Sequence, residues 1–163
     1  MYDSRVLIES LQRNYDIVLA HLKGVTYEQS LIQPPFNSNC LNWVVGHIVQ
    51  NRNLMLKLLS QQTTWTDAQI ERYNYGSLPV KDGHDALRLE QMAADLAMAN
   101  QRLVDALKPL TSADFDALGK EVIKGMTDWT VGWTLNFLIW HETYHTGQTD
   151  ILRQASGMND KVI

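Results

Sequence analysis

Residues 130–156, TVGWTLNFLIWHETYHTGQTDILRQAS, run without a proline and keep helical spacing from end to end. At 1.5 Å per residue this makes one helix about 40 Å long. Its first half is apolar nearly all round, with Trp133, Leu135, Phe137, Leu138, Ile139 and Trp140. Such a helix is either central to its own bundle or packed on a second subunit, so the rest of the chain has to supply helical partners.

Three further helical patterns are present. Asp3 or Ser4 can cap the first, in which Leu7, Leu11, Tyr15, Val18 and Leu22 recur at helical spacing up to Gly24. Asn37, Ser38 or Asn39 can cap the second, from about Leu41 to Ser60, with an apolar stripe through Leu41, Val44/Val45, Ile48, Met55 and Leu59. Asp82 is placed to cap the third, which carries Leu89, Met92, Leu96, Leu103 and Leu107 inward and stops at Pro109. Between them, VTYEQSLIQPPFNSN holds a Pro-Pro pair, residues 61–82 keep no period, and 111–128 combine a capped turn with a two-glycine link expected to hold a short extended piece. Four long amphipathic helices without strands or repeats predict an all-α four-helix bundle with long inter-helix connections, as one domain over residues 1–163.

A net charge of -4 with no Lys/Arg cluster argues against a nucleic-acid surface, because such binding rests on neutralising phosphates. The longest apolar runs fall far below the ~20 residues of a membrane span, and the opening MYDSRVLIESLQRNYD has no apolar signal core. Cys40 is the one cysteine, so no internal disulfide forms, which suits a reducing compartment. A cytoplasmic location is expected. Cys40 itself reads as a small residue near a helix start and not as a reactive thiol.

The sharpest chemical feature lies in the long helix. His141 and His145 are four apart, so both imidazoles leave one helix face and can reach one metal ion. HETYH matches H-E-x-x-H, in which two His bind zinc and the Glu deprotonates water. The longer metzincin form fails at Gln148 and Ile151, and no Glu follows Glu142, so a zinc protease is a minor alternative. Both histidines fall on the row Val131, Thr134, Leu138, His141, His145, Gln148, Leu152, which is expected to face the core. Burying two imidazoles without a common partner costs desolvation, and a metal with a third neutral ligand removes that cost. His47, on the second helix, is the one other His on an apolar helical row. His21 and His84 read as structural and surface residues, His21 at a helix C-terminus where a cation is mildly favoured.

HLKGVTYEQ, NSNCLNWVVGHIV and above all TVGWTLNFLIWHETYHTGQTDILRQASG resemble the DinB-like family of small metal-binding helical bundles, which includes YfiT-type and thiol-transferase members. The last phrase is similar to the family's His-x-x-x-His-x-Gly-Gln helix. The resemblance implies that His47, His141 and His145 are metal ligands. Asn51 stands where many members carry an acidic residue, which weighs against proton transfer at that position.

Three neutral His leave a divalent ion an open position, as in catalytic sites; zinc or nickel fits best, and iron or manganese is compatible. Glu142 is read as a general base, an orienting partner of an imidazole, or a surface charge. Gln148 is expected to orient an imidazole or touch substrate, and Asn51 and Asn100 are candidate pocket residues. The expected function is a metal-dependent enzyme, a hydrolase or a thiol S-transferase acting on a small molecule, with a low-molecular-weight thiol as possible partner. The alternative is a non-enzymatic stress-related metal-binding or dimeric interaction module. A homodimer is expected from the apolar surplus of the long helix and from the resemblance.

Overall fold

The computed structural model describes residues 2–162. Seven helices account for its regular structure: α1 (Ser4–Leu22), α2 (Tyr27–Ser30), α3 (Leu41–Leu58), α4 (Asp67–Arg72), α5 (Leu89–Leu107), α6 (Ser112–Asp116) and α7 (Val131–Ala155). The four long ones, α1, α3, α5 and α7, form an all-α bundle in which α1 and α3 each lie between α5 and α7. Chain neighbours α1 and α3 are therefore diagonal, as are α5 and α7, which is why the links between them are long.

Side-chain pairs fix the directions. Asn14 meets Thr143 and His21 meets Thr149, so α1 and α7 run parallel. His47 meets His141 while Asn51 reaches the Leu138 carbonyl, so α3 runs against α7. One apolar cluster, with Val44, Ile48, Met92, Leu96 and Leu152, fills one end of the bundle. A second, with Leu7, Met55, Leu103, Leu107 and Leu135, fills the other.

Between these clusters lies a buried charge. Arg52 of α3 donates from Nε and Nη2 to both carboxylate oxygens of Glu142 on α7, at 3.0 and 2.7 Å. Its Nη1 donates to Asn100 Oδ1 on α5 at 2.8 Å, and Nη2 also reaches the Leu11 carbonyl on α1 at 2.8 Å. One guanidinium thus touches all four long helices. Burying such a pair is tolerable because nearly every donor has an acceptor.

α1 keeps its expected limits: Asp3 caps it, Oδ1 accepting from the Arg5 amide, and the helix gives way to Gly24 in the left-handed region at φ 77°. Other boundaries differ from expectation. α3 starts at Cys40 with no side-chain cap, so none of Asn37, Ser38 or Asn39 performs that role. α5 begins at Leu89 and not at Asp82, because the Asp82 carboxylate accepts from the His84 amide and closes a local turn. The patternless stretch after α3 contains α4, started by a Thr66/Gln69 capping box, and the first link contains α2, started by Thr26/Gln29. The expected extended piece reduces to a bridge between Leu118 and Thr130.

The most enclosed helix is α3, not α7. Sixteen of its 18 residues are buried, against 10 of 25 in α7. The reason is the segment 59–88, which folds across the outer side of α3 and buries Trp65, Ile70, Tyr73 and Val80 there. Gly46 makes the approach possible, since a Cβ at this position would overlap the Tyr73 ring. Among the described residues, no helix is long and apolar enough to cross a membrane.

Candidate metal centre

His47 points from α3 into the groove it shares with α7, and His141 and His145 enter from the other wall. One ring nitrogen from each lies within 4.8 Å of the other two. His141 Nε2 is 2.9 Å from His47 Nε2 and 3.2 Å from His145 Nε2. The predicted trio is thus brought together across 94 residues of chain.

The outer nitrogens explain why the inner ones converge. His47 Nδ1 donates to the Tyr73 carbonyl at 2.7 Å, and a carbonyl can only accept, so the ring carries its hydrogen on Nδ1 and a lone pair on Nε2. His145 Nδ1 donates to Gln148 Oε1 at 2.6 Å with the same result. Two lone pairs therefore face His141 Nε2, which has one position to offer and can satisfy at most one of them. A divalent cation accepts from all three, so the donor set fits a metal.

Burial keeps the imidazoles in the form a metal needs. Desolvation is the largest effect on each, pushing His47 down to about 4 and His145 down to about 4, and lowering His141 as well. All three are neutral at pH 7. Trp43 stacks on His47 at 4.8 Å between centroids and Phe137 stacks on His141 at 6.1 Å. Each aromatic sits four residues before the histidine it covers, a spacing visible in the sequence. The Tyr73 carbonyl leaves no such trace, because a main-chain acceptor has no residue signature. The cluster opens into a cavity of about 440 Å³ whose mouth includes Tyr75, Ser77, Tyr144 and Gln148.

The other expected site residues are distributed differently. Gln148 accepts the His145 Nδ1 hydrogen bond at 2.6 Å and lines the cavity. Asn51 donates to the Leu138 carbonyl and lines a second cavity that also touches His47 and His141. Asn100 lies in neither cavity; it bridges Arg52 and Gln12 in the bundle interior.

Glu142 corrects the reading of its helix. Its side chain is buried at the centre of the inward face of α7, while His141, His145 and Gln148 are half-buried at the edge of that face. With both oxygens held by Arg52, the carboxylate is not a surface charge, makes no hydrogen bond to an imidazole and does not face the cavity. That geometry withdraws the general base a zinc protease would require, although the H-E-x-x-H letters are present.

Other titratable groups lie away from the cluster. His21 is buried, and its Nδ1 donates to Thr149 Oγ1, whose own hydrogen goes to the Thr146 carbonyl. Desolvation lowers its pKa and outweighs the opposing charge of Asp150, so the ring is neutral at pH 7 where a cation was expected to be favoured. His84 is exposed. Cys40 is buried, and burial raises its thiol pKa, leaving it protonated and inert.

Residues 10–149 match the family model described as the DinB superfamily. A crystal structure of a conserved protein from Enterococcus faecalis superposes with a TM-score of 0.72 at 17% identity, covering 96% of this chain and 98% of the other. At that identity the likeness carries the fold alone. No curated protein matches the chain.

Proposed function

The chain belongs to the DinB superfamily, and from that premise we propose that it is a cytoplasmic metal-dependent enzyme in which His47, His141 and His145 hold one divalent ion. The observation that carries this reading is the convergence of three neutral imidazole nitrogens whose outer partners, the Tyr73 carbonyl and Gln148, leave two lone pairs competing for one position. Zinc or nickel suits imidazole donors, and iron or manganese is compatible. When bound, such an ion with an open position lowers the pKa of a coordinated water or thiol towards neutrality.

The chain's residues favour a thiol over water. No carboxylate lines the cavity among the described residues, and Glu142 is held by Arg52. Hydrolysis through water calls for a nearby base to carry protons. A thiol starts from a pKa near 8.5 and needs far less help to ionise. The proposed reaction is therefore transfer of a low-molecular-weight thiol to a small electrophile, with Trp43 and Phe137 shielding the ring faces from solvent and Tyr144 and Gln148 meeting the incoming molecule.

Elemental analysis of the purified protein beside His47→Ala, His141→Ala and His145→Ala tests the centre. One metal per chain in the wild type and its loss in each variant is the expected result. Unchanged metal content in His47→Ala would sink the reading. A screen of thiol and electrophile pairs with the metal-loaded protein then tests the chemistry.

A second reading, a dimeric interaction module with or without catalysis, draws on the outer side of α7. Trp133, Trp140, Tyr144 and Ile151 are all at least half exposed. At 100° per residue they fall within about 20° of one line along the helix. A monomer in sedimentation at micromolar concentration would remove the homodimer, and metal-dependent turnover would remove the non-catalytic version.

A further inference from the structure

The groove between α3 and α7 continues past the histidines. A second cavity, about 370 Å³, lies on the far side of His47 and His141, and these two imidazoles and Tyr75 are the walls it shares with the first. On α3, residues from Trp43 to His47 face the first cavity and those from His47 to Leu54 face the second. On α7, Gln148 back to His141 face the first, and His141 back to Phe137 face the second. The cavities are thus arranged end to end, with the His47 and His141 pair at the waist.

The far chamber is built for hydrocarbon. Leu54, Ile123, Met126, Phe137 and Leu138 give it an apolar wall, and among the described residues no carboxylate, lysine or arginine lines it. Its two buried amides have already donated, Gln50 Nε2 to Asn74 Oδ1 and Asn51 Nδ2 to the Leu138 carbonyl. A dry apolar cavity of about 150 Å³ accepts a benzene ring, so this one has room for an aryl group or an alkyl chain of several carbons.

We propose that the far chamber holds the apolar part of the substrate, an aryl or medium-length alkyl group, while the substrate's polar, metal-binding end lies at His47 and His141. This inference rests on reading the cluster as a metal centre. It names the class of molecule that centre serves: an amphipathic one, with an uncharged hydrocarbon beside its reactive polar group. A charged group has no counter-charge in the chamber and would lose its hydration against apolar walls.

The n-alkyl hydroxamates from acetohydroxamate to octanohydroxamate carry one metal-chelating head and tails of set length. Titrated into zinc-loaded protein by calorimetry, they are expected to tighten about fourfold per added methylene until the chamber is full. Leu54→Trp, which occupies the chamber, flattens that dependence, and Ile123→Trp does the same from the opposite wall should the first variant fail to fold. Equal affinity along the series in the wild type overturns the inference.

A metal-free arm separates this outcome from failure of the metal centre. In protein labelled at the methionine methyls, n-alkyl alcohols from butanol to octanol are expected to shift the Met126 signal increasingly with length and to leave Met98, exposed on α5, unmoved. If no metal binds and Met126 still responds, the metal centre falls and the chamber stands. If metal binds and neither series depends on chain length, the chamber falls and the metal centre stands.

Discussion

His47 Nδ1 and the Tyr73 carbonyl, 2.7 Å apart, join the most buried helix of the bundle to the segment that covers it. This bond sets which nitrogen of His47 is free to bind. Its counterpart is the bond from His145 to Gln148, and that one can be removed without touching the core. Gln148→Leu is expected to weaken metal affinity by roughly 10–100-fold, the usual cost of losing an orienting partner. Competition with a chelator of known affinity reads the change, and the thermal midpoint of the metal-free protein should stay within a few degrees of wild type.

Protons compete with the metal only where the imidazoles titrate. With His47 and His145 held near 4 and His141 lowered as well, against about 6.5 for an unperturbed ring, proton competition should set in below pH 6.5 and deepen as pH drops towards about 4. Isotherms at pH 8, 6, 5 and 4 test this; a decline centred on pH 6.5 would contradict the burial of the site.

Stability of the metal-free protein follows the same shifts. A histidine whose folded pKa is depressed takes up its proton more readily in the unfolded chain, so the stability it contributes is full above about pH 6.5 and is lost as pH falls towards the folded value. His47 and His145 give a window from about 6.5 to about 4, and His21 acts in the same direction. Urea midpoints should therefore drop between pH 7 and pH 4.5, and His21→Asn should make the drop shallower.

Arg52 and Glu142 form a buried pair in which neither side chain reaches solvent. Arg52→Met strands a carboxylate in the interior and is expected to cost about 3–5 kcal/mol, while the double variant Arg52→Met with Glu142→Met should recover most of that loss. Equilibrium unfolding in urea measures both. Metal binding by the folded double variant should persist, since Glu142 faces away from the cluster.

Gly46→Ala tests the cover. The added methyl collides with the Tyr73 ring, so the segment must lift. A loss of about 1–3 kcal/mol is expected from overpacking alone. Metal affinity should fall with it, because the same displacement carries the Tyr73 carbonyl away from His47.

The four long helices and the facing of His141 and His145 were legible in the sequence because both depend on spacing along a helix, which local geometry enforces. The His47 assignment followed from the cost of leaving imidazoles unpartnered. What stayed hidden depends on contacts distant in sequence. Glu142 reads as part of a protease motif until Arg52, 90 residues earlier, claims it, and Arg52 itself has the look of an ordinary polar residue on α3. The enclosure of α3 was invisible because its cover, residues 59–88, has no period of its own. The late start of α5 was missed because Asp82 serves a turn as readily as a helix cap.

The segment covering α3 shapes the pocket mouth through Tyr75 and Ser77 and, two residues earlier, holds an imidazole through a main-chain oxygen. These duties tolerate change very differently. The Tyr75 side chain, almost fully exposed, can be exchanged without altering the backbone path, whereas an insertion or deletion that shifts residue 73 would misdirect His47. The length of the chain up to residue 73 is therefore the constrained quantity in this segment, and the side chain at position 75 the free one.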